Sequence, residues 1–168
     1  MARCARLLVL GIGNVLMSDD GVGVYAVQEL RRQPRTGALI TEVGIAMLDA
    51  VSLLAWADRV LVIDALRAGG APGSIYRAEA GDLRREPARL ALHELDLMGA
   101  LELLPPGQRT AEISVLGVEP ERLEPGLGLS PKVAAALPSV VRMVNETIAK
   151  WRSGDAGYGR CMSFARGA

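Results

Sequence analysis

The sequence predicts an α/β fold in which a parallel sheet is covered by helices on both faces, and three observations predict it. Leu7–Leu10 (LLVL) and Val60–Ile63 (VLVI) are short continuous apolar runs, closed by Gly11 and Asp64, as expected of strands buried on both faces. Segments with apolar residues at helical spacing alternate with these runs across short links, which is the pattern of repeated βα units. The chain of 168 residues is long enough to bury one sizeable core without metals or disulfides, roughly 70% of the surface its unfolded form exposes.

The first strand, Leu7–Leu10, leads into Gly11-Ile12-Gly13-Asn14-Val15-Leu16-Met17-Ser18-Asp19-Asp20-Gly21, a long turn rich in residues that tolerate positive φ. Val22–Arg32 reads as a helix because Val24, Val27 and Leu30 recur at helical spacing between polar residues. A second strand is predicted at Ala38–Val43, a helix at about Met47–Ala57, and a third strand at Arg59–Asp64, apolar after its first residue until its last. Ala65–Gly73 is a Gly/Pro loop and Ser74–Glu79 a further short strand. The Arg-rich stretch Asp82–Glu94 has only a weak helical pattern, whereas Asp96–Leu104 reads as a helix stopped by Pro105-Pro106-Gly107. Arg109–Val118 reads as a late core strand. Ser130-Pro131, an N-cap followed by proline at the first helical position, opens a last helix to about Lys150 or Trp151. In it Val133, Leu137, Val140, Val141, Val144 and Ile148 form one stripe. Residues 1–152 are expected to form a single α/β domain and 153–168, small and Gly-rich, a mobile C-terminal tail.

Composition narrows the function. Half the residues are hydrophobic, 23% are charged, and 19 Lys+Arg balance 19 Asp+Glu, which argues against disorder and against a nucleic-acid partner. Cys4 and Cys161 form no C-x-x-C pair, so neither a disulfide framework nor a thiolate metal site is expected, and a reducing, cytoplasmic setting fits best. The apolar run after the N-terminal arginines ends at Gly11 and reads as a strand, not a signal peptide, and no stretch approaches the ~18 apolar residues of a membrane span.

His93 is the single histidine, so any triad, Cys–His pair or imidazole-bearing metal site must use it. In open α/β sheets ligands bind beyond the carboxyl ends of the strands, where Asp64 ends the third strand and Asp20 lies in the loop after the first. With His93 these acids would make a mixed oxygen/nitrogen site suited to a borderline divalent cation such as nickel or zinc, with open positions. Each residue also has a plainer reading. Asp19 or Asp20 could cap the helix that follows, Asp64 could be a turn residue, and His93 beside Glu94 could lie on the surface. Leu16 stands where a dinucleotide fingerprint needs glycine, no Gly-Lys-Ser/Thr follows, and no G-x-S-x-G elbow surrounds Ser18.

Gly11-Ile12-Gly13-Asn14-Val15-Leu16-Met17-Ser18-Asp19-Asp20-Gly21-Val22-Gly23 resembles the opening motif of nickel-iron hydrogenase maturation proteases. The resemblance continues through Val62-Ile63-Asp64-Ala65, Ala71-Pro72-Gly73, His93-Glu94-Leu95, Leu116-Gly117-Val118-Glu119-Pro120 and Leu129-Ser130-Pro131, covering roughly Leu7 to Trp151. It implies a three-layer α/β/α fold with a twisted, mostly parallel mixed sheet, of the phosphorylase/hydrolase-like kind. It also implies an aspartyl endopeptidase that removes the C-terminal extension of the nickel-iron hydrogenase large-subunit precursor after nickel insertion. In that family an acid, an acid and a histidine contact nickel, which here gives Asp20, Asp64 and His93 as both metal-contacting and catalytic residues. The nickel belongs to the substrate and is not expected to stay tightly bound to the isolated protein. The expected partner is that precursor, with no nucleic acid and no membrane insertion, and a monomer is expected. The chain departs from the family at Glu42-Val43-Gly44-Ile45-Ala46, where many members carry an Asp-Gly-Gly-Thr-like turn. The other function class considered is a non-catalytic chaperone or metal-binding module that recognises the nickel-loaded subunit without cutting it.

Overall fold

A computed structural model describes residues 5–34, 37–44, 47–79 and 111–154. Its strands are β1 (Leu7–Ile12), β2 (Leu39–Gly44), β3 (Arg59–Ala65), β4 (Ile75–Glu79) and β5 (Glu112–Val118), and its α-helices are α1 (Val22–Arg31), α2 (Met47–Trp56) and α3 (Pro131–Gly154). A single 3-10 turn, Ser18–Gly21, leads directly into α1. The strands form one sheet in the order β2-β1-β3-β5-β4. β1 pairs in parallel with β2 and β3, and β3 in parallel with β5, whereas β4 runs antiparallel to β5. The sheet is therefore mixed.

The alternation of side chains along the strands explains the layers. Leu7 and Val9 of β1, Leu61 and Ile63 of β3, and Leu116 and Val118 of β5 face α1 and α3, meeting Val22, Ala26, Leu30, Val133, Val140, Val144 and Ile148. The intervening Leu8, Leu10, Val60, Val62, Ile113 and Val115 face the opposite layer, where Ala50 and Leu54 of α2 meet them. Both faces are covered, so every residue of β1 is buried and its sequence is an apolar run without alternation. Fully burying each of the Val, Leu and Ile side chains contributes about 1.5–3 kcal/mol, so the three central strands and the helices over them supply the core.

β4 departs from the parallel pattern for a simple reason. The chain leaves β3 at its carboxyl end and turns through 66–74, then runs back down beside β5, a path that needs no crossover helix. The turn lies along β5: Leu66 donates to Val118 O, Gly73 to Glu119 O, and Glu119 in return to Ser74 O.

Within the described residues, the strands and helices expected from the sequence occur at nearly the expected bounds. β3 extends one residue past Asp64, and α3 continues to Gly154, past the expected end at Trp151. The segment Asp82–Glu94, the helix expected at Asp96–Leu104 and the tail beyond Gly154 lie outside the described residues, as do Cys4 and Cys161. Among the described residues no helix is long and apolar enough to cross a membrane.

Candidate active site

α1 connects β1 to β2 over one face, and α2 then carries the chain back across β1 to β3 over the other. The chain thus leaves β1 toward β2 on one side and leaves β3 toward β4 and β5 on the other, and the crevice between β1 and β3 at their carboxyl ends is the switch point at which α/β sheets bind ligands. The register pairs Gly11 with Ile63, so Asp64 stands one residue further along, where β1 ends. Its side chain is fully buried and its Oδ1 accepts the Ala65 N–H at 2.8 Å.

Asp20 follows β1 in the 3-10 turn, which touches β3. Its half-buried carboxylate accepts the Asn14 N–H at 2.9 Å through Oδ2. Two glycines make this turn compact. Gly13 has φ +131°, and a Cβ there would stand 1.8 Å from Asp20 O. A Cβ at Gly23 would stand 2.2 Å from Ile63 O and 2.3 Å from Ile12 O. With hydrogen in those places the start of α1 lies directly over the ends of β1 and β3. Asp20 and Asp64 thus come from the carboxyl ends of adjacent parallel strands, while His93 lies outside the described residues.

Asp19 has a different place from its neighbour. It is fully buried, and its carboxylate accepts from Glu121 N–H at 2.9 Å, Arg122 N–H at 3.0 Å, Ser130 N–H at 2.6 Å and Ser130 Oγ at 2.9 Å. Burial by itself would raise its pKa, but these donors, Ser130 N–H foremost, outweigh burial and hold it below the ordinary carboxylate value. The capping reading of Asp19 is thereby replaced: the residue at the N-cap of α1 is Gly21, and Asp19 ties the turn after β1 to the loop after β5.

Glu119 does the same for the loop after β3. Its carboxylate accepts Ala68 N–H at 2.8 Å, Gly70 N–H at 3.2 Å and Gly69 N–H at 3.4 Å. Burial opposes ionisation here too, and the Ala68 and Gly70 N–H groups, the Tyr76 hydroxyl and Gly69 N–H lower the pKa despite it. The Tyr76 phenol is pushed up by burial and by its bond to the Glu119 carboxylate. Sequence reasoning gave neither acid this role. The available signal was weak: two acids in loops already dense in glycine, with partners about fifty to a hundred residues away.

Comparison with known proteins agrees with this architecture. The chain matches the family described as hydrogenase maturation protease over residues 24–147. The hydrogenase expression/formation protein HoxM of Azotobacter vinelandii is 32% identical over 163 residues, which cover 90% of this chain and 79% of that protein. The hydrogenase 2 maturation protease of Escherichia coli is 30% identical over 147 residues, covering 83% of this chain and 88% of that one. Among solved structures, the hydrogenase maturating endopeptidase HybD from E. coli superposes with a TM-score of 0.76 at 29% identity, over 86% of this chain and 93% of its own. The maturation protease HybD from Thermococcus kodakarensis gives a TM-score of 0.74 at 26% identity, over 85% and 99%. Sequence and fold converge along most of the chain's length, and the chain belongs to the hydrogenase maturation protease family.

Proposed function

We propose that this endopeptidase removes the C-terminal extension of a nickel-iron hydrogenase large-subunit precursor once nickel has been inserted, and that Asp20, Asp64 and His93 contact the substrate-borne nickel. The observation that carries the proposal is the origin of the two acids: Asp64 stands at the carboxyl end of β3 and Asp20 follows the neighbouring parallel strand β1, at the switch point of the sheet. Two carboxylates and one imidazole supply three ligands and leave coordination positions for groups of the precursor. Such a set holds nickel weakly by itself, so the metal arrives and leaves with the substrate. With the nickel-bearing centre seated on these ligands, the precursor's C-terminal segment is held at a fixed place beside the carboxylates. In this reading nickel selects mature substrate and aligns the scissile bond.

The rest of the recognition surface is assigned to the loops at the same end, 65–73 and 119–129. They carry exposed side chains, Arg67 in the first and Leu127, 78% exposed, in the second. Their backbones are tied down through Glu119 and Asp19, so they offer a preformed face to a folded protein. The reaction is assigned to the cytoplasm, in keeping with cysteines that show no disulfide pattern.

The test is a processing assay read by the mass of the large subunit. Nickel-loaded precursor is expected to lose its extension, nickel-free precursor to stay intact, and His93→Ala to be inactive. Cleavage of nickel-free precursor at the same rate, or full activity of His93→Ala, would overturn the nickel-guided mechanism. A free peptide spanning the junction should be cut far more slowly than the folded precursor; equal rates would remove the role given to the loops. Nickel-loaded precursor that binds but stays uncut would point to the non-catalytic chaperone.

A further inference from the structure

The turn that carries Asp20 contains a residue in an unfavourable backbone state. Ser18 has φ 53°, in the left-handed region that glycine favours, and it is buried. Such a conformation persists only where its surroundings enforce it. Here the surroundings are the loop after β5. Ser18 N–H donates to Gly126 O at 2.9 Å and Ser18 Oγ to Glu124 O at 3.0 Å, while Gly126 N–H donates back to Leu16 O at 2.9 Å. One residue later the Asp19 carboxylate takes its four donors from Glu121, Arg122 and Ser130 of the same loop. Asp20 comes next, its N–H donated to Met17 O and its Oδ2 accepting the Asn14 N–H.

We infer that Ser18 and Asp19 are positioning residues: together they latch the Leu16–Asp20 turn onto the 121–130 loop and thereby fix where the Asp20 carboxylate stands. The inference deepens the proposed function and rests on it for the role of Asp20. Nearly all the latch contacts engage backbone groups of the loop, so its constraint falls on the path of the chain and is passed on through a single peptide link to Asp20. Were the latch only a source of stability, weakening it would lower the unfolding midpoint and leave the folded protein's chemistry alone. A positioning latch predicts the reverse. The Asn14 N–H, which Asp20 Oδ2 accepts at 2.9 Å, reports the carboxylate's position without any substrate.

The experiment compares wild type, Ser18→Gly, Gly126→Ala and Asp19→Asn by amide hydrogen exchange at Asn14, by urea unfolding and by steady-state processing of nickel-loaded precursor. Glycine adopts φ 53° without strain, so Ser18→Gly should keep its unfolding midpoint while losing the bond to Glu124 O and the confinement of the turn. Exchange at Asn14 should rise about tenfold over a background of unchanged global protection. The kcat should fall about tenfold to a hundredfold with KM within about twofold, because a small misplacement of a group at the reacting centre costs rate. Gly126→Ala tests the latch from the other side: its new Cβ would lie 2.7 Å from Ser18 Oγ and must push it away, with the same two effects. Asp19→Asn should add a loss of stability. Wild-type exchange at Asn14 in both Ser18→Gly and Gly126→Ala would overturn the inference, as would wild-type kcat in a variant whose Asn14 exchange is fast. A wild-type protein that leaves nickel-loaded precursor uncut overturns the processing role instead, and the exchange rates then still decide whether the latch places Asp20.

Discussion

At the amino end of the sheet, carboxylates meet arginines; at the carboxyl end, the buried acids meet backbone N–H groups. Asp58, just before β3, accepts from the Arg6 N–H at 2.8 Å and from its guanidinium at 3.2 Å, joining the starts of β1 and β3. Arg59 reaches Glu112 at 3.1 Å, joining β3 to β5, and donates to Trp151 O at the end of α3. These side chains are partly in water, and the arginines also lie over Trp56 and Trp151. Asp19 and Glu119 at the other end are buried, and most of their partners are main-chain donors. A guanidinium on a flexible stem follows small shifts of its partner, whereas a carboxylate bound to several N–H groups fixes the path of a loop. The amino end is built to tie strands together, and the carboxyl end to hold loops in one shape around the candidate site.

The sharpest way to break this contrast is to remove a carboxylate from the site itself. Asp64→Asn keeps an acceptor for the Ala65 N–H and should leave the fold intact, yet lower processing of nickel-loaded precursor by about a hundredfold or more. Arg6→Ala at the opposite end should process at the wild-type rate. Product mass over a time course measures both. Near-normal processing by Asp64→Asn would remove that acid from the reaction.

The next largest effect separates the two ends by stability. Asp19→Ala leaves four donors without their acceptor; those of the exposed Glu121 and Arg122 can turn to water, whereas the two of buried Ser130 cannot and cost about 1–3 kcal/mol each, so a loss of about 3 kcal/mol is expected in denaturant unfolding. Arg6→Ala breaks a part-exposed ion pair and should cost about 1 kcal/mol. Equal losses would mean that the backbone-bound acid is no more constrained than the ion pair.

Acid should act on the carboxyl end in the same sense. Asp19 and Glu119 both have folded-state pKa values below their ordinary ones, so the unfolded chain takes up protons first as pH falls. Their stabilisation is complete above the unfolded values, about 3.9 and 4.3, and is lost as pH drops through those values toward the folded ones. Unfolding midpoints should be level from neutral to about pH 5 and then fall. A double variant, Asp19→Asn with Glu119→Gln, should start lower at neutral pH and decline less steeply. An unchanged slope in the variant would show that other carboxylates drive the acid transition.

The sequence was informative where physics is local. The apolar runs of β1 and β3, the stripe from Val133 to Ile148 and the Ser130-Pro131 start each obey short-range rules, and the elements appear there. Placing Asp64 at a strand end required only that the apolar run stop, and placing Asp20 in the turn required only the glycines around it. The antiparallel course of β4 was not in its residues, since it follows from where the 66–74 turn lies along β5. Asp19 shows the clearest limit. Asp19 and Asp20 are adjacent and of the same type, yet one is a buried anchor and the other half-buried in the candidate site. Donors at Glu121, Arg122 and Ser130 decide between them, and no rule of local spacing brings those residues together.

The smallest expected effect completes the comparison by testing how little one amino-end pair contributes. Glu112 is 61% exposed on the side-chain scale and faces Arg59, itself 26% exposed, so the pair sits in a high dielectric and is screened by salt. Arg59 also keeps its bond to Trp151 O and its place over the Trp151 ring when Glu112 is neutralised. Glu112→Gln should therefore cost no more than about 0.5 kcal/mol, and that difference should shrink at high salt. Its processing rate should equal wild type, since the residue begins β5 at the end of the sheet opposite Asp64. Urea unfolding at low and high salt, run beside the processing assay, measures both quantities. A loss above about 1 kcal/mol that persists in salt would show that Arg59 and Glu112 act as a structural clamp, and a slower reaction in the same variant would show that the two ends of the sheet are coupled.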